Sequence, residues 1–295
     1  MPPLESDGFQ CRIELDSLAP CGKRLTTVVI RYPRFIHSEV LTHRDRARNS
    51  ASSRAIPWPK MMAAITEDPV VPIRFGSEQK GMQTGGEVEN VEEARRIWMS
   101  ARDDAVFYAQ QLADLGVHKS ICNRLTEPFM WITVVMTATE WNNFFRLRCH
   151  TDAEIHFQKI AGMIREALGN SIPKVPEEVC LTSTNFESIE QHSELWHLPF
   201  VAGHDLDDVL ADFSMDDIKR ISAARCARVS YLTHEGIHDP KKDLELFNRL
   251  ANGSGFGHWS PMEHVAMALD TPDRSGPFIG WKQFRKEFHL ENSEG

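Results

Sequence analysis

Residues Thr42–Arg54 read THRDRARNSASSR: five arginines or histidines and three serines within thirteen positions, with almost nothing apolar among them. The rest of the chain has the opposite character. Its 295 residues carry a formal net charge of −9 and a pI near 5.8. The overall field therefore repels nucleic acid and anionic membranes, and a local basic pocket is suited to a small anion. Guanidinium forks and hydroxyl donors together match phosphate oxygens. A solvated basic loop is the plain alternative for such a charge run.

Upstream, RLTTVVIRYP is β-branched and reads as a strand, and PRFIHSEVLTHR reads as a short helix with Pro33 near its start. The basic stretch then follows as a loop. Downstream, residues 69–90 are rich in Pro and Gly and read as an irregular surface excursion. Trp98, Ala101, Ala105, Tyr108, Leu112 and Leu115 recur by threes and fours, and Gly116 stands at the C-cap, so a helix with a core-facing stripe is expected. PFMWITVVMTATEWNNFFRL reads as a second apolar helix, with a strand left open by its Val and Thr content. Thr151 and Glu154 read as a capping box ahead of Phe157, Ile160, Ala161, Ile164 and Leu168. Residues 170–213 carry no motif and read as an insertion or connecting segment. Beyond Ser214 a helix leads into RCARVSY, Asp239-Pro240 opens another through Leu250, and NGSGFGHWSPMEHVAMALD supplies a turn, a helix start and a short strand.

Composition narrows the class. With 41% hydrophobic and 25% charged residues, the chain can bury a sizeable core and is long enough for one large domain or two modest ones. The start has no basic region followed by an apolar run, and no segment approaches eighteen uninterrupted apolar residues, so a cytoplasmic chain without a membrane partner is expected. Cys11, Cys21, Cys122, Cys149, Cys180 and Cys226 form no CxxC pair, which predicts reduced thiols. GSGFG lacks the third glycine, preceding strand and following acid of a dinucleotide fingerprint, and there is no phosphate loop. His258 and His264, six apart, fall on different sides of a helix, so no metal is expected.

Spacing gives the basic stretch a sharper meaning. His43-Arg44, seven residues, then Ser52 and Arg54 resemble the Arg-His-Arg signature of the flavin-dependent thymidylate synthases. GHWSPMEH resembles that family's Gly-His segment, ARVSY its Arg-Val-Ser segment, NNFFRLR its Asn-Phe-Leu-x-Leu-Arg stretch, and NRLTEP its arginine four residues before a proline. In ordinary members the Arg-Val-Ser and Gly-His segments precede the signature; here they follow it, which reads as a circular permutation. GPFIGWKQFRKEF also resembles the helix leading into the signature, so the two ends overlap.

The resemblance implies a single catalytic domain over residues 1–295 with an α+β fold, a mixed or antiparallel sheet packed with several helices. It further implies a homotetramer with shared sites, FAD as cofactor, and NADPH and methylenetetrahydrofolate as co-substrates. Ser52, Arg54 and Arg124 would hold the phosphate and sugar of deoxyuridylate (dUMP), with Ser50 beside them, and Arg148 would stabilise charge developing on the pyrimidine. Ser52 and Arg148 are the catalytic candidates. His43, Arg44, Asn143, Ser230, Ser260 and Glu263 would contact the flavin. Thr42 stands where the family has an arginine and Glu39 where it has glutamine, and Gln283 (substrate) and Arg285 (cofactor) are expected to restore those groups. Ala47, Ser50, Thr137 and Thr139 are further departures.

Ser260, Pro261 and Glu263 also form a capping-box pattern that serves a helix start without any ligand. Cys149 beside Arg148 raises the alternative of a cysteine nucleophile, against a small buried thiol. A methylase of another pyrimidine nucleotide, or a non-catalytic paralogue binding nucleotide or nucleic acid, are the rival functions.

Overall fold

The computed structural model describes residues 2–176, 195–201, 213–232, 239–252 and 257–288. Strands β1 (Leu4–Ser6) and β2 (Phe9–Leu18) form a hairpin. Its turn places both Asp7 and Gly8 at positive φ, 49° and 80°, the conformation that matches strand twist in a two-residue turn. A Cβ at Gly8 would lie 2.3 Å from the Trp131 ring, so the turn also depends on glycine's missing side chain. Next comes β3 (Arg24–Pro33), then the short α1 (His37–Val40) where a helix was expected.

The basic stretch is not a loop throughout. Ala47–Ser50 form β4, an edge strand antiparallel to β5 (Trp131–Ala138), completing a five-stranded antiparallel sheet in the order β1-β2-β3-β5-β4. Arg48 and Asn49 alternate across this strand, so charge and amide serve opposite faces.

The apolar run at 128–147 is likewise not one helix. It divides into β5 and α5 (Asn142–Arg148). The central strands β3 and β5 are buried on both faces. Val28, Ile30, Tyr32, Ile132, Val134 and Met136 join the main core with Phe144 and Phe157, while Thr27 and Thr137 are buried on the other side. Two buried faces erase the period of two that marks a half-exposed strand, so the run looked helical.

Helices α2 (Trp58–Glu67), α3 (Val91–Asp114), α4 (Lys119–Leu125), α5 and α6 (Ile155–Asn170) belong to the main-core layer. Asn90 caps α3 by accepting from the Glu93 N–H, and Gly116 turns out of it at φ 79° as expected. The stripe on α3 is core in part: Trp98, Ala105 and Leu112 pack against the main core, whereas Ala101, Tyr108 and Leu115 are exposed, and Ala109 is the one fully buried residue of the helix. Two long side chains add polar ties to this packing, Trp98 donating to the Val70 carbonyl and Arg102 to those of Ile65 and Thr66. Glu154, not Thr151, is the N-cap of α6, and its carboxylate accepts from the Phe157 N–H at 2.9 Å. Residues 69–90 are irregular as expected, apart from a bridge between Gly76 and Glu87.

The C-terminal part lies on the opposite face of the sheet. β6 (Trp196–His197), β7 (Ala266–Ala268) and β10 (Trp281–Gln283) form an antiparallel sheet, and β8 (Arg274–Ser275) pairs with β9 (Phe278–Ile279). α7 (Met215–Arg228), capped by Ser214, packs on α8 (Pro240–Asn252). Asp243 of α8 is buried between two arginines of α7, accepting from Arg225 Nε at 2.9 Å and Arg228 Nε at 2.7 Å. Most of the segment 170–213 lies outside the described residues. The fold is α+β, and among the described residues no helix is long and apolar enough to cross a membrane.

Candidate active site

The edge strand joins the two ends of the chain. Asn49 of β4 donates its side-chain N–H to the Cys226 carbonyl at 2.9 Å and to Ser230 Oγ at 3.1 Å, and the Ser52 N–H donates to the Ser230 carbonyl at 3.1 Å. The basic motif is thus bonded to the Ala-Arg-Val-Ser segment, almost 180 residues later. A cleft of about 420 Å³ opens at this junction. Ser52 and Arg54 line it from the basic stretch, Ser230 and Tyr231 from the end of α7, and Ser260 with His258 from the Gly-His segment. Arg54 is exposed and forms no ion pair among the described residues. Ser52 Oγ accepts the Arg54 N–H at 3.2 Å, which leaves its own proton for a ligand.

The segment Ser260–Glu263 is a single 3-10 turn whose start, Trp259, carries no side-chain cap. The capping-box reading is therefore incorrect: with Pro261 inside so short a turn, Ser260 lines the cleft and the Glu263 carboxylate pairs with Arg285. Gln283 Nε2 donates to the Glu263 carbonyl at 3.0 Å. Gln283 and Arg285 thus both hold Glu263. Arg48 lies within the electrostatic reach of Glu263, and its guanidinium donates to the carbonyls of Val40, Leu41 and His43 at the end of α1.

The remaining sequence candidates lie apart from this cleft. His43 is 8% exposed, packed edge-on against Phe144 and Phe157, and its Nε2 accepts from Arg148 Nε at 2.8 Å. Burial holds this imidazole at about 4, with Arg46 and Arg148 adding to the effect, so the ring is neutral and able to accept. Arg148 stacks over Phe157 at 4.5 Å and donates to Thr42 Oγ1 at 3.3 Å. Arg44 is exposed beside this group. Ser50, facing away from Asn49 on β4, does not line the cleft.

Asn143 lines a different cleft of about 670 Å³, with Thr139, Asp45, Lys23 and Arg165, which shares no lining residue with the first. Arg124 is exposed on α4 and is absent from both. Its neighbour Asn123 clamps the turn after β4, donating to the carbonyls of Ser53 and Ile56. The thiol of Cys149 is pushed up by burial, which outweighs the opposing effect of Arg165, so it is not poised as a thiolate.

Three contributors were missed in the sequence. Asn49 sat among charges, and nothing local marked it as the contact to α7. Arg46 is buried, stacked on Phe144 at 4.5 Å and Trp141 at 5.0 Å and paired with Asp45, so part of the basic stretch is structural. His118 lines the cleft from the start of α4.

No family model matches the chain, and no curated protein matches it. Two similar solved structures are a UMP/dUMP methylase PolB from Streptomyces cacaoi bound with 5-Br dUMP and one bound with 5-Br UMP. The first is 17% identical at a TM-score of 0.40, the match covering 50% of this chain and 66% of that one, just under two thirds. The second is 14% identical at a TM-score of 0.45, covering 55% of this chain and 88% of that one.

Proposed function

We propose that this protein is a flavin-dependent methylase of a pyrimidine nucleotide, acting as a thymidylate synthase on dUMP. One observation carries the reading: Ser52 and Arg54 from one end of the chain line the same cleft as Ser230 and Ser260 from the other. Each set belongs to a different motif of the resemblance, and only folding brings them together.

In this reading Arg54 and Ser52 hold the phosphate, a guanidinium and a hydroxyl being complementary to its oxygens. Arg148 stabilises negative charge that develops on the ring during methylation, and His43 orients Arg148 by accepting its Nε–H. When bound, FAD would supply hydride drawn from NADPH, and methylenetetrahydrofolate would supply the one-carbon unit. Ser230, Ser260, Glu263, His43, Arg44 and Asn143 are proposed to hold the flavin, with Gln283 and Arg285 acting through Glu263. Two hydroxyls, an amide and the Arg44 guanidinium are donors suited to a flavin's phosphates and polar ring edge, and the Glu263 carboxylate is an acceptor suited to a ring N–H. Asn143 and Ser260 line separate clefts within one chain, so the proposal includes a homotetramer in which different subunits complete one site. The motif order is that of a circular permutation, and the chain is placed in the cytoplasm.

The test is turnover of dUMP with FAD, NADPH and methylenetetrahydrofolate, detecting methylated nucleotide, with UMP and deoxycytidylate in parallel. Product from dUMP supports the reading, and product from another nucleotide alone moves the specificity. Protein that takes up no FAD and methylates none of the three rejects it.

A further inference from the structure

The turn that carries Ser52 and Arg54 is held from outside its own motif. Lys119 Nζ donates to the Ala55 carbonyl at 2.9 Å, and Asn123 Nδ2 donates to those of Ser53 and Ile56 at 2.6 and 2.9 Å. These three bonds clamp the first two turns of α4 against residues 53–56. The residue preceding Lys119 is His118, which lines the same cleft as Ser52 and Arg54.

His118 is also the N-cap of α4. Its Nδ1 accepts the Ser120 N–H at 3.2 Å and lies 2.9 Å from Ser120 Oγ. A nitrogen that accepts a backbone N–H carries no proton, so the neutral ring has its proton on Nε2. That Nε2–H has no partner among the described residues. Capping therefore fixes both the ring's position and its tautomer, and presents a donor at the wall of a cleft that already holds a guanidinium and a free hydroxyl.

We infer that His118 is a further phosphate-binding residue of this cleft, its Nε2–H completing with Arg54 and Ser52 the donor set for the monophosphate of the nucleotide. The inference rests on the proposed nucleotide-binding reading and extends it to a residue outside every motif. The ligand chemistry is a phosphate monoester dianion, which accepts from all three groups at once.

The test separates capping from binding. His118→Asn keeps an N-cap acceptor for the Ser120 N–H and removes Nε2–H, whereas His118→Ala removes both. Calorimetric titration of dUMP into wild type, His118→Asn and His118→Ala is read beside their melting temperatures. Expected are native-like melting and about tenfold weaker dUMP binding for His118→Asn, the worth of one hydrogen bond to a charged group. In wild type, the His118 Nε2–H resonance is expected to shift on adding dUMP. Unchanged affinity in His118→Asn, with or without loss in His118→Ala, overturns the inference and leaves the nucleotide reading standing. Wild type that binds neither dUMP nor UMP overturns both.

Discussion

Lowering the pH from 7 to 5 should destabilise this protein through two histidines that touch no solvent. Ser17 Oγ, His197, Thr27, Thr137 and His264 form a continuous buried chain. His197 Nδ1 lies 2.7 Å from Ser17 Oγ and its Nε2 2.8 Å from Thr27 Oγ1. Thr27 and Thr137 are 2.7 Å apart, and Thr137 is 2.7 Å from His264 Nδ1. His264 Nε2 has no hydrogen-bond partner among the described residues. Burial holds both imidazoles at about 3, and for His197 the neighbouring His264 adds to it. Unfolded, each returns to about 6.5. The native state therefore binds fewer protons than the unfolded one between these values, so stability is unaffected well above pH 6.5 and falls as pH drops from there towards 3. At pH 5 each ring destabilises the fold by about 2 kcal/mol, and the pair by about 4 kcal/mol. That is a large share of the ~5–15 kcal/mol typical of a domain. His37 and His43, each held near 4 mainly by burial, act in the same direction. Ordinary carboxylates titrate mostly below this window. Urea unfolding at pH 7, 6 and 5 measures the effect, and a His197→Gln/His264→Gln double variant should flatten it. A wild-type loss under about 1 kcal/mol between pH 7 and 5, or an equal slope in the double variant, would refute the reasoning.

Four further outcomes are expected. Asp243→Ala leaves Arg225 and Arg228 buried without their shared carboxylate and should cost about 3–5 kcal/mol in chemical unfolding. Thr137→Val removes the central link of the buried chain and should cost about 1–3 kcal/mol, with Thr137→Ser restoring most of it. Arg148→Lys loses the planar fork over Phe157 and should lower the methylation rate about 100-fold with little change in melting temperature. Arg285→Ala removes one partner of the Glu263 carboxylate and should weaken FAD binding about tenfold by fluorescence titration, whereas unchanged affinity would remove Arg285 from the cofactor site.

Local chemistry settled a defined part of this protein. Ser214 before an amphipathic run, Pro240 at a helix start, Gly116 after one and the β-branched run at 24–33 all act through neighbours within four or so residues, and their elements formed where they were read. The resemblance pointed to Ser52 and Arg54 for the nucleotide and to Ser230 and Ser260 for the flavin; these four line one cleft, while Arg124, Arg148 and Asn143, pointed to beside them, lie outside it. Contacts between distant segments decided the rest. Burial of β5 on both faces made a strand of an apolar run, and pairing with β5 drew residues 47–50 from a loop into an edge strand. The periodic stripe of α3 marks a helix and is buried at Trp98, Ala105 and Leu112 but not at Tyr108 and Leu115, because how much of a face is covered depends on what lies across from it. His118 looks ordinary in sequence, since Ser52 and Arg54, with which it lines one cleft, and the 53–56 turn that Lys119 and Asn123 clamp to its helix stand some sixty residues away. A chain's own pattern fixes short-range hydrogen bonds and side-chain period; which cations become structural, as Arg46 does, and which face a cleft, as Arg54 does, is fixed only by long-range packing.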